Sequence, residues 1–436
     1  MESLNLSKFP KIELPRFLKM KQHFNTQKVE DIPAEVRAKM EPYLQNLAGK
    51  RIAVGVGSRG IANIALITKT VVDKLQDAGA FPFIIPVMGS HGGATPEGQA
   101  EMLAGFGISE ETMGVPINAS MDVEPIGELE PGFPIYVCKS ALEADGIVII
   151  PRIKPHTAFR GPIESGVLKM LCIGLGKQIG ADSLHMQGFA RFHEVIPKAG
   201  CMVAEKTNML FSVSVIENAF DETYKVEVLP KVDMLSMERE KALLEEAKNI
   251  MASIPFPKFD VLVIEEIGKN ISGDGQDPNV TGLFFGKHMS GGPEFKKSAI
   301  FDVTEESHGN SLGVGMADVT TRKLFDKTNF VYMYMNAFTS TEVATVKMPM
   351  VAATSEDALR MVVKMCNGVK PFEHKIVWIK NTLELSEIMI SEPLLSEAQS
   401  LSNIEVLSDP SDLIFINGEP QTVLLAPSNT VISKGR

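Results

Sequence analysis

The chain has 436 residues, of which 44% are hydrophobic and 22% charged, and carries a formal net charge of -11. That length exceeds one ordinary core and points to two domains of about 150–250 residues each, while the acidic balance excludes a general nucleic-acid or anionic-membrane surface. The four cysteines, Cys138, Cys172, Cys201 and Cys366, are scattered and form no CxxC pair, which excludes a disulfide framework and a zinc knuckle and points to a reducing compartment.

The opening MESLNLSKFPKIELPRF has no apolar signal core, and no apolar run reaches the length of a membrane span, so a cytoplasmic protein is expected. Residues 1–50 are a lead-in, with an edge strand near Pro10–Leu14 and a helix around Ala34–Leu47. RIAVGVG (51–57) is a buried strand, IANIALITKTVVDKLQDAG (61–79) a helix with apolar residues at helical spacing, and FPFIIPVMG (81–89) a second strand. TPEGQAEMLAGFG follows as a helix with Thr95 as N-cap and Pro96 at its first position. PIYVCKS and DGIVIIPRI (145–153) are strands, GVLKMLCIGLG a buried helix, and LFSVSVIEN with YKVEVL a hairpin or paired edge.

MEREKALLEEAKNIMASI (237–254) reads as a charged amphipathic helix, and the proline-bearing IPFPKFD (254–260) as the domain boundary. A second unit opens with DVLVIEEIG and continues through FVYMYMNAF, the helix EDALRMVVKMCNG and the strand KIVWIK. Alternating strands and helices define an α/β protein of two α/β domains, residues 1–257 and 258–436, with a ligand cleft between them. The tail after Asp409 is placed either with the second domain or returning to the first.

Gly55-Val56-Gly57-Ser58-Arg59-Gly60 matches GxGxxG between a strand and a helix, the context of a dinucleotide fingerprint. The second strand, however, ends in Met88-Gly89-Ser90-His91 instead of an acidic ribose partner, and Arg59 suits a carboxylate or lone phosphate. A tight turn without ligand is the competing reading of these glycines.

Three histidines and a lysine stand out. His91, in SHGGATPEG, and His156, in KPHTAFRGP, each follow a strand, where open α/β sheets place ligands. Arg152, Lys154 and Arg160 make the second loop cationic and favour neutral imidazole, the form a general base needs. Lys169 sits in apolar ESGVLKML, at a face edge, snorkelling or functional. His185 lies beyond it in SLHMQGF and, taken alone, reads as a satisfied structural histidine. No HExxH, GxSxG, P-loop or clustered carboxylate motif is present, so triad hydrolases and simple zinc enzymes lose ground.

The Arg59 loop, GSHGGATPEG, KPHTAFRGPIESGVLK and the downstream SLH together resemble the nickel-dependent lactate racemase superfamily of 2-hydroxyacid racemases and epimerases. The resemblance covers much of residues 50–190. It implies an isomerase with a nickel-pincer nucleotide, a sulfur-bearing pyridinium mononucleotide holding nickel. In that pattern Lys169 is the tether, His185 the nickel ligand, and Ser165 and Gly166 the cofactor loop. His91 and His156 match the two catalytic histidines, and Arg59 the arginine that faces the substrate. The resemblance further implies hydride transfer from C2 of a small 2-hydroxy acid and maturation proteins as partners. Three departures are visible: a longer segment between His156 and Lys169, Val167 where the family has a glycine, and a second-domain loop, GKNISGDGQDPNVTG, unlike the lactate enzyme's. Asn270, Gln276 and Asn279 in that loop are polar enough to read a hydroxylated substrate. The competing functions are a dinucleotide-dependent oxidoreductase using Gly55–Gly60 and a noncatalytic carboxylate- or phosphate-binding protein.

Overall fold

The computed structural model describes residues 6, 9–58, 60–286 and 288–421. Two compact units divide them: one holds residues 25–251, the other the residues up to 24 together with those from 252. The first described strand, β1 (Phe17–Gln22), therefore belongs to the unit built mostly from the far end of the chain.

In the unit of residues 25–251 the chain runs β2 (Arg51–Val56), helix Ile64–Asp77, β3 (Phe81–Pro86), helix Pro96–Gly105, and the hairpin β4 (Val123–Glu130) and β5 (Phe133–Cys138). It continues through β6 (Gly146–Ile150), helices Lys177–His185 and Phe192–Lys206, β7 (Met209–Glu217), β8 (Thr223–Pro230) and helix Glu238–Ile250. The five-stranded sheet has the order β3-β2-β6-β7-β8. Its first four strands are parallel and β8 is antiparallel to β7. All five residues of β6 are buried, as expected of a strand covered on both faces. Helix Ile64–Asp77 buries Ile64, Ile67, Val71 and Leu75 in the core that also holds Ile52, Val54, Ile84, Val148 and Val213. The Thr95 hydroxyl accepts from the Gly98 amide at 3.0 Å and starts the next helix as its sequence predicts. From β2 the chain steps outward to β3, then crosses back to β6 on the other side. Strand order reverses there, and the crevice beyond the carboxyl ends of β2 and β6 is where such sheets bind ligands.

The other unit contains β9 (Val261–Ile267), β10 (Lys297–Val303), β11 (Val319–Thr321), β12 (Met350–Ala352), β13 (Ile376–Ile379), β14 (Glu387–Ser391) and β15 (Ile404–Val406). They form one sheet ordered β12-β11-β10-β9-β13-β14-β1-β15, parallel from β12 to β13 and antiparallel beyond. Trp378 anchors its core, meeting Phe17 and Phe301 edge-on at 6.1 and 5.4 Å and donating its indole N–H to Glu265 at 3.0 Å. FVYMYMNAF lies in a helix, Phe330–Ser340.

Two details differ from the sequence expectation, and one open alternative is resolved. The N-terminal strand lies at Phe17–Gln22, not Pro10–Leu14, and is sandwiched between β14 and β15 instead of forming an edge. The units divide after Met251, ahead of the proline-bearing stretch. The tail after Asp409 stays with its own unit as far as it is described, with Ser411 bridging Phe17; residues 422–436 lie outside the described residues. Among the described residues no helix is long and apolar enough to cross a membrane.

Candidate functional site

The carboxyl ends of β3, β2 and β6 are neighbours, with Val56 paired to Pro86 on one side and to Ile150 on the other. At strand spacing, the outer two ends stand about 10 Å apart, enough for a small molecule between them. Ser58 follows β2, His91 follows β3 and His156 follows β6. His91 Nδ1 and Ser58 Oγ are 2.5 Å apart, which ties the first two loops together. Arg59, the expected carboxylate partner, lies outside the described residues.

The His156 loop is closed on itself. Lys154 and Ser165 exchange backbone hydrogen bonds at 3.2 Å each way, so the loop returns to Ser165-Gly166 just before Lys169. Within it, the His156 amide donates to the buried Glu164 carboxylate at 2.7 Å, and Arg160 donates to the His156 carbonyl at 2.7 Å. The ring's Nδ1 accepts the Ala158 N–H at 2.9 Å, and the ring lies 4.5 Å from Phe159, centroid to centroid. The cationic surroundings expected here are largely neutralised. Arg152 pairs with Glu217 at 2.5 Å, and Arg160 stands 3.5 Å from Glu164.

Lys169 is half-buried and ends a short helical turn, Val167–Lys169. A five-residue π-helix, Met170–Gly174, follows directly, an insertion often found at functional sites. The sequence predicts one buried helix here; the π-turn and the following helix Lys177–His185 split it. The buried Glu240 carboxylate sits 3.4 Å from the Leu168 amide. Burial pushes that carboxyl up to about 7, against the opposing pull of the Leu168 and Val167 amides. Gly166 is needed because a Cβ there would lie 2.3 Å from a Glu240 oxygen.

The π-helix packs against the other two loops. The Gly89 amide donates to Gly174 O at 3.2 Å, and the Met170 methyl is 3.8 Å from where a Cβ on Gly57 would be. At the end of the next helix, Lys177–His185, His185 donates Nδ1–H to the Ala181 carbonyl at 2.7 Å. That bond fixes the tautomer and leaves the lone pair on Nε2. Burial, aided by the Lys169 charge, holds the His185 pKa below its ordinary value and keeps the ring neutral. Phe192 stands 5.5 Å from His185 and 5.4 Å from Phe159, so an aromatic wall links the His185 ring to the His156 ring. The structure thus brings His91, His156, Lys169, His185, Ser165 and Gly166 to one end of one sheet.

Sequence reasoning missed Lys177. It is fully buried, with φ +52°, and its ammonium donates to Pro86 O at 2.6 Å and to Gln99 Oε1 at 2.9 Å. Gln99, also fully buried, donates onward to Gly89 O at 3.0 Å and His91 O at 3.2 Å. A buried cation therefore pins the segment that delivers His91. Burial drives its pKa from 10.5 down to about 8. The available signal was a lysine enclosed by apolar and glycine residues in LGKQIG, the same argument that singled out Lys169 eight residues earlier.

The other candidates make local contacts of their own. Gly55 is inside β2, where a Cβ would lie 2.7 Å from Val87 and 2.9 Å from Ile149, so close strand packing explains it. The Ala62 amide, ahead of the helix starting at Ile64, already donates to the Glu217 carboxylate at 2.7 Å. A carboxylate in that place opposes a pyrophosphate. In the other unit, Gln276 is buried, with its oxygen accepting from the Thr281 hydroxyl and its nitrogen donating to Leu283 O at 3.4 Å. It braces its own loop instead of meeting solute. The Asn270 side-chain oxygen accepts from Thr304 at 2.7 Å and Ser307 at 3.2 Å, and Asn279 donates to Asp277 at 2.7 Å.

The fold class is α/β, with the histidines at the topological switch point of a doubly wound sheet. No family model matches the chain, and no curated protein matches it by sequence. Among solved structures, the lactate racemase apoprotein from Thermoanaerobacterium thermosaccharolyticum is similar, with a TM-score of 0.54 and 15% identity over 88% of this chain and 96% of that one. At that identity the likeness shows a shared fold.

Proposed function

We propose that the protein is an isomerase, a racemase or epimerase of small 2-hydroxy acids. The observation that carries this reading is the convergence of His91, His156, Lys169 and His185 at the carboxyl ends of β3, β2 and β6. The fold shared with a lactate racemase apoprotein supports it.

Inverting C2 of a hydroxy acid requires breaking a C–H bond beside an ionised carboxylate. Removing the hydrogen as hydride avoids a dianion, and the hydroxyl proton must leave in the same step. An imidazole within reach of that hydroxyl is worth about 10²–10⁴ in rate. Arg59, next in sequence to Ser58, is the proposed two-point partner of the carboxylate. The aromatic wall of Phe159 and Phe192 keeps water from one side of the crevice.

The hydride acceptor is proposed to be a nickel-pincer nucleotide, whose pyridinium ring supplies an electrophilic carbon when bound. The residues fit such a group. His185 presents a neutral Nε2 lone pair, a donor suited to nickel. Lys169 is the proposed tether, with Ser165 and Gly166 bordering the same group. Maturation proteins are the implied partners, and a cytoplasmic setting goes with them.

The test is the intact mass and nickel content of protein produced alongside the maturation machinery, followed by racemisation in heavy water. An adduct, bound nickel and retention of the original C2 hydrogen are expected. Unmodified, metal-free protein, or rapid deuterium entry at C2, would overturn the reading. The alternative dinucleotide oxidoreductase loses support from the Glu217 carboxylate on the Ala62 amide; tight NADH binding would restore it.

A further inference from the structure

Helix Glu238–Ile250 buries Glu240, Leu243, Leu244 and Ala247, which stand at i, i+3, i+4 and i+7, the stripe an amphipathic helix turns to its core. An acidic residue holds the first of these places. A leucine there would add stability, whereas a carboxylate costs it. Glu240 is 1% exposed. Among the described residues no cation offsets its charge; the groups that favour it are the Leu168 and Val167 amides. Each carboxylate oxygen lies 3.4 Å from the Leu168 nitrogen.

Those amides open the helical turn that ends in Lys169. The turn has no side-chain cap of its own, because Gly166 precedes it. Gly166 is bare where the Glu240 carboxylate fills the space a Cβ would take. Glu240 therefore supplies, from 72 positions along the chain, the acceptor that the turn lacks. On the preceding side Ser165 is fastened to Lys154 by two backbone bonds, and the Met170 amide donates to Gly166 O at 3.1 Å. The backbone entering Lys169 is thus clamped on both flanks, one of the clamps being a buried charge. The same helix reaches the other arm of the site through Lys248, 3.3 Å from the buried Glu164 carboxylate that holds the His156 amide.

We infer that Glu240 is a positioning residue for Lys169: its carboxylate grips the peptide groups just ahead of that lysine and holds it where it can meet its ligand. This rests on the reading of Lys169 as the tether for the identity of that ligand, but not for the hold on the turn. The hold is maintained against stability. Removing the charge should leave the fold as firm or firmer while Lys169 becomes less effective, whereas loss of a merely structural contact would weaken both together.

The test compares the full-length protein with Glu240→Gln, which keeps the shape and removes the charge, and with Lys248→Met, which alters the same helix away from the turn. Each is produced alongside the maturation machinery. Intact mass reads the fraction carrying an adduct, and urea unfolding reads stability. Glu240→Gln should carry less adduct with its urea midpoint unchanged or raised. A second arm needs no cofactor: trace acetic anhydride labels the lysines of the purified chain, and peptide mass spectrometry reads Lys169 against the exposed Lys258. That ratio should fall about tenfold in Glu240→Gln, as when the outer support of a ligand residue is lost, and stay at the original value in Lys248→Met. In the unaltered protein it should also fall from about pH 8 to about pH 6, as the carboxyl takes up its proton. The ionisable groups that face Glu240, Cys172 of the π-helix and Cys201 of helix Phe192–Lys206, are kept neutral in that range by burial. An unchanged ratio in Glu240→Gln, an equal fall in Lys248→Met, or a lowered urea midpoint accompanying the loss would overturn the inference. Should the unaltered protein take up no adduct, the tether reading falls, and the labelling ratio by itself still upholds or refutes the hold of Glu240 on Lys169.

Discussion

Replacing Lys177 by methionine should change how stability depends on pH. The ammonium is fully buried, and burial lowers its pKa from 10.5 to about 8. Below pH 8 the group is charged in both folded and unfolded chains, and the full desolvation penalty burdens the native state. Between 8 and 10.5 the unfolded chain binds the proton that the folded one has released, so stability rises with pH. The full gain is about 3 kcal/mol. Two buried thiols work in the opposite sense. Burial raises Cys172 to about 12 and Cys366 to about 11, so above pH 9 their ionisation favours the unfolded chain. Both are retained in the variant and cancel in the difference. Cys138 interacts with the Lys177 charge, so the comparison is made with Cys138→Ala in both proteins. Urea unfolding at intervals from pH 7 to pH 10.5 should show the lysine protein gaining about 3 kcal/mol on its Lys177→Met counterpart. Parallel stability curves would refute the claim that this ammonium is desolvated.

Three further outcomes are expected. Glu240→Gln should flatten the acid side of the stability profile: the carboxyl is raised from 4.5 to about 7, so the native state binds more protons across that window and stability falls as pH rises through it, by about 3 kcal/mol that urea titrations would resolve. Gly166→Ala drives a Cβ to 2.3 Å from the Glu240 carboxylate and should destabilise by about 1–3 kcal/mol in thermal or urea melts. His185→Gln should abolish nickel retention in cofactor-loaded protein, measured by elemental analysis, while the circular dichroism spectrum is unchanged.

The parallel sheet of residues 25–251 was legible because its strands are short apolar runs, with β2 and β3 separated by a single helix. β2 and β3 fall within the expected 51–57 and 81–89, and Thr95 caps its helix as its hydroxyl chemistry requires. The convergence of the two histidines was partly legible too, since both follow parallel strands and strand ends gather. What the sequence withheld is set by side-chain partners distant along the chain. Nothing near Gly55 reveals that Val87 and Ile149 forbid a side chain. Nothing near Ala62 announces Glu217, 155 residues away, on its amide. Arg152 looked like part of a cationic loop until that same glutamate was found opposite it. Gln276 was chosen for its polarity, but a polar side chain in a loop is as able to brace that loop as to face a ligand, and its hydrogen bonds decide for bracing. Lys177 escaped because a buried lysine and a snorkelling one have identical letters.

The position of β1 has a consequence for biosynthesis. β1 pairs with β14 and β15, which are synthesised long after it. Phe17, Leu18 and Met20 are buried there, so these apolar side chains have no native shelter until β14 and β15 have been made. Residues 25–251 can meanwhile assemble their own core, leaving β1 waiting as an unpaired strand. A version beginning at residue 25 would open a gap between β14 and β15 and expose two naked edges, a template for self-association.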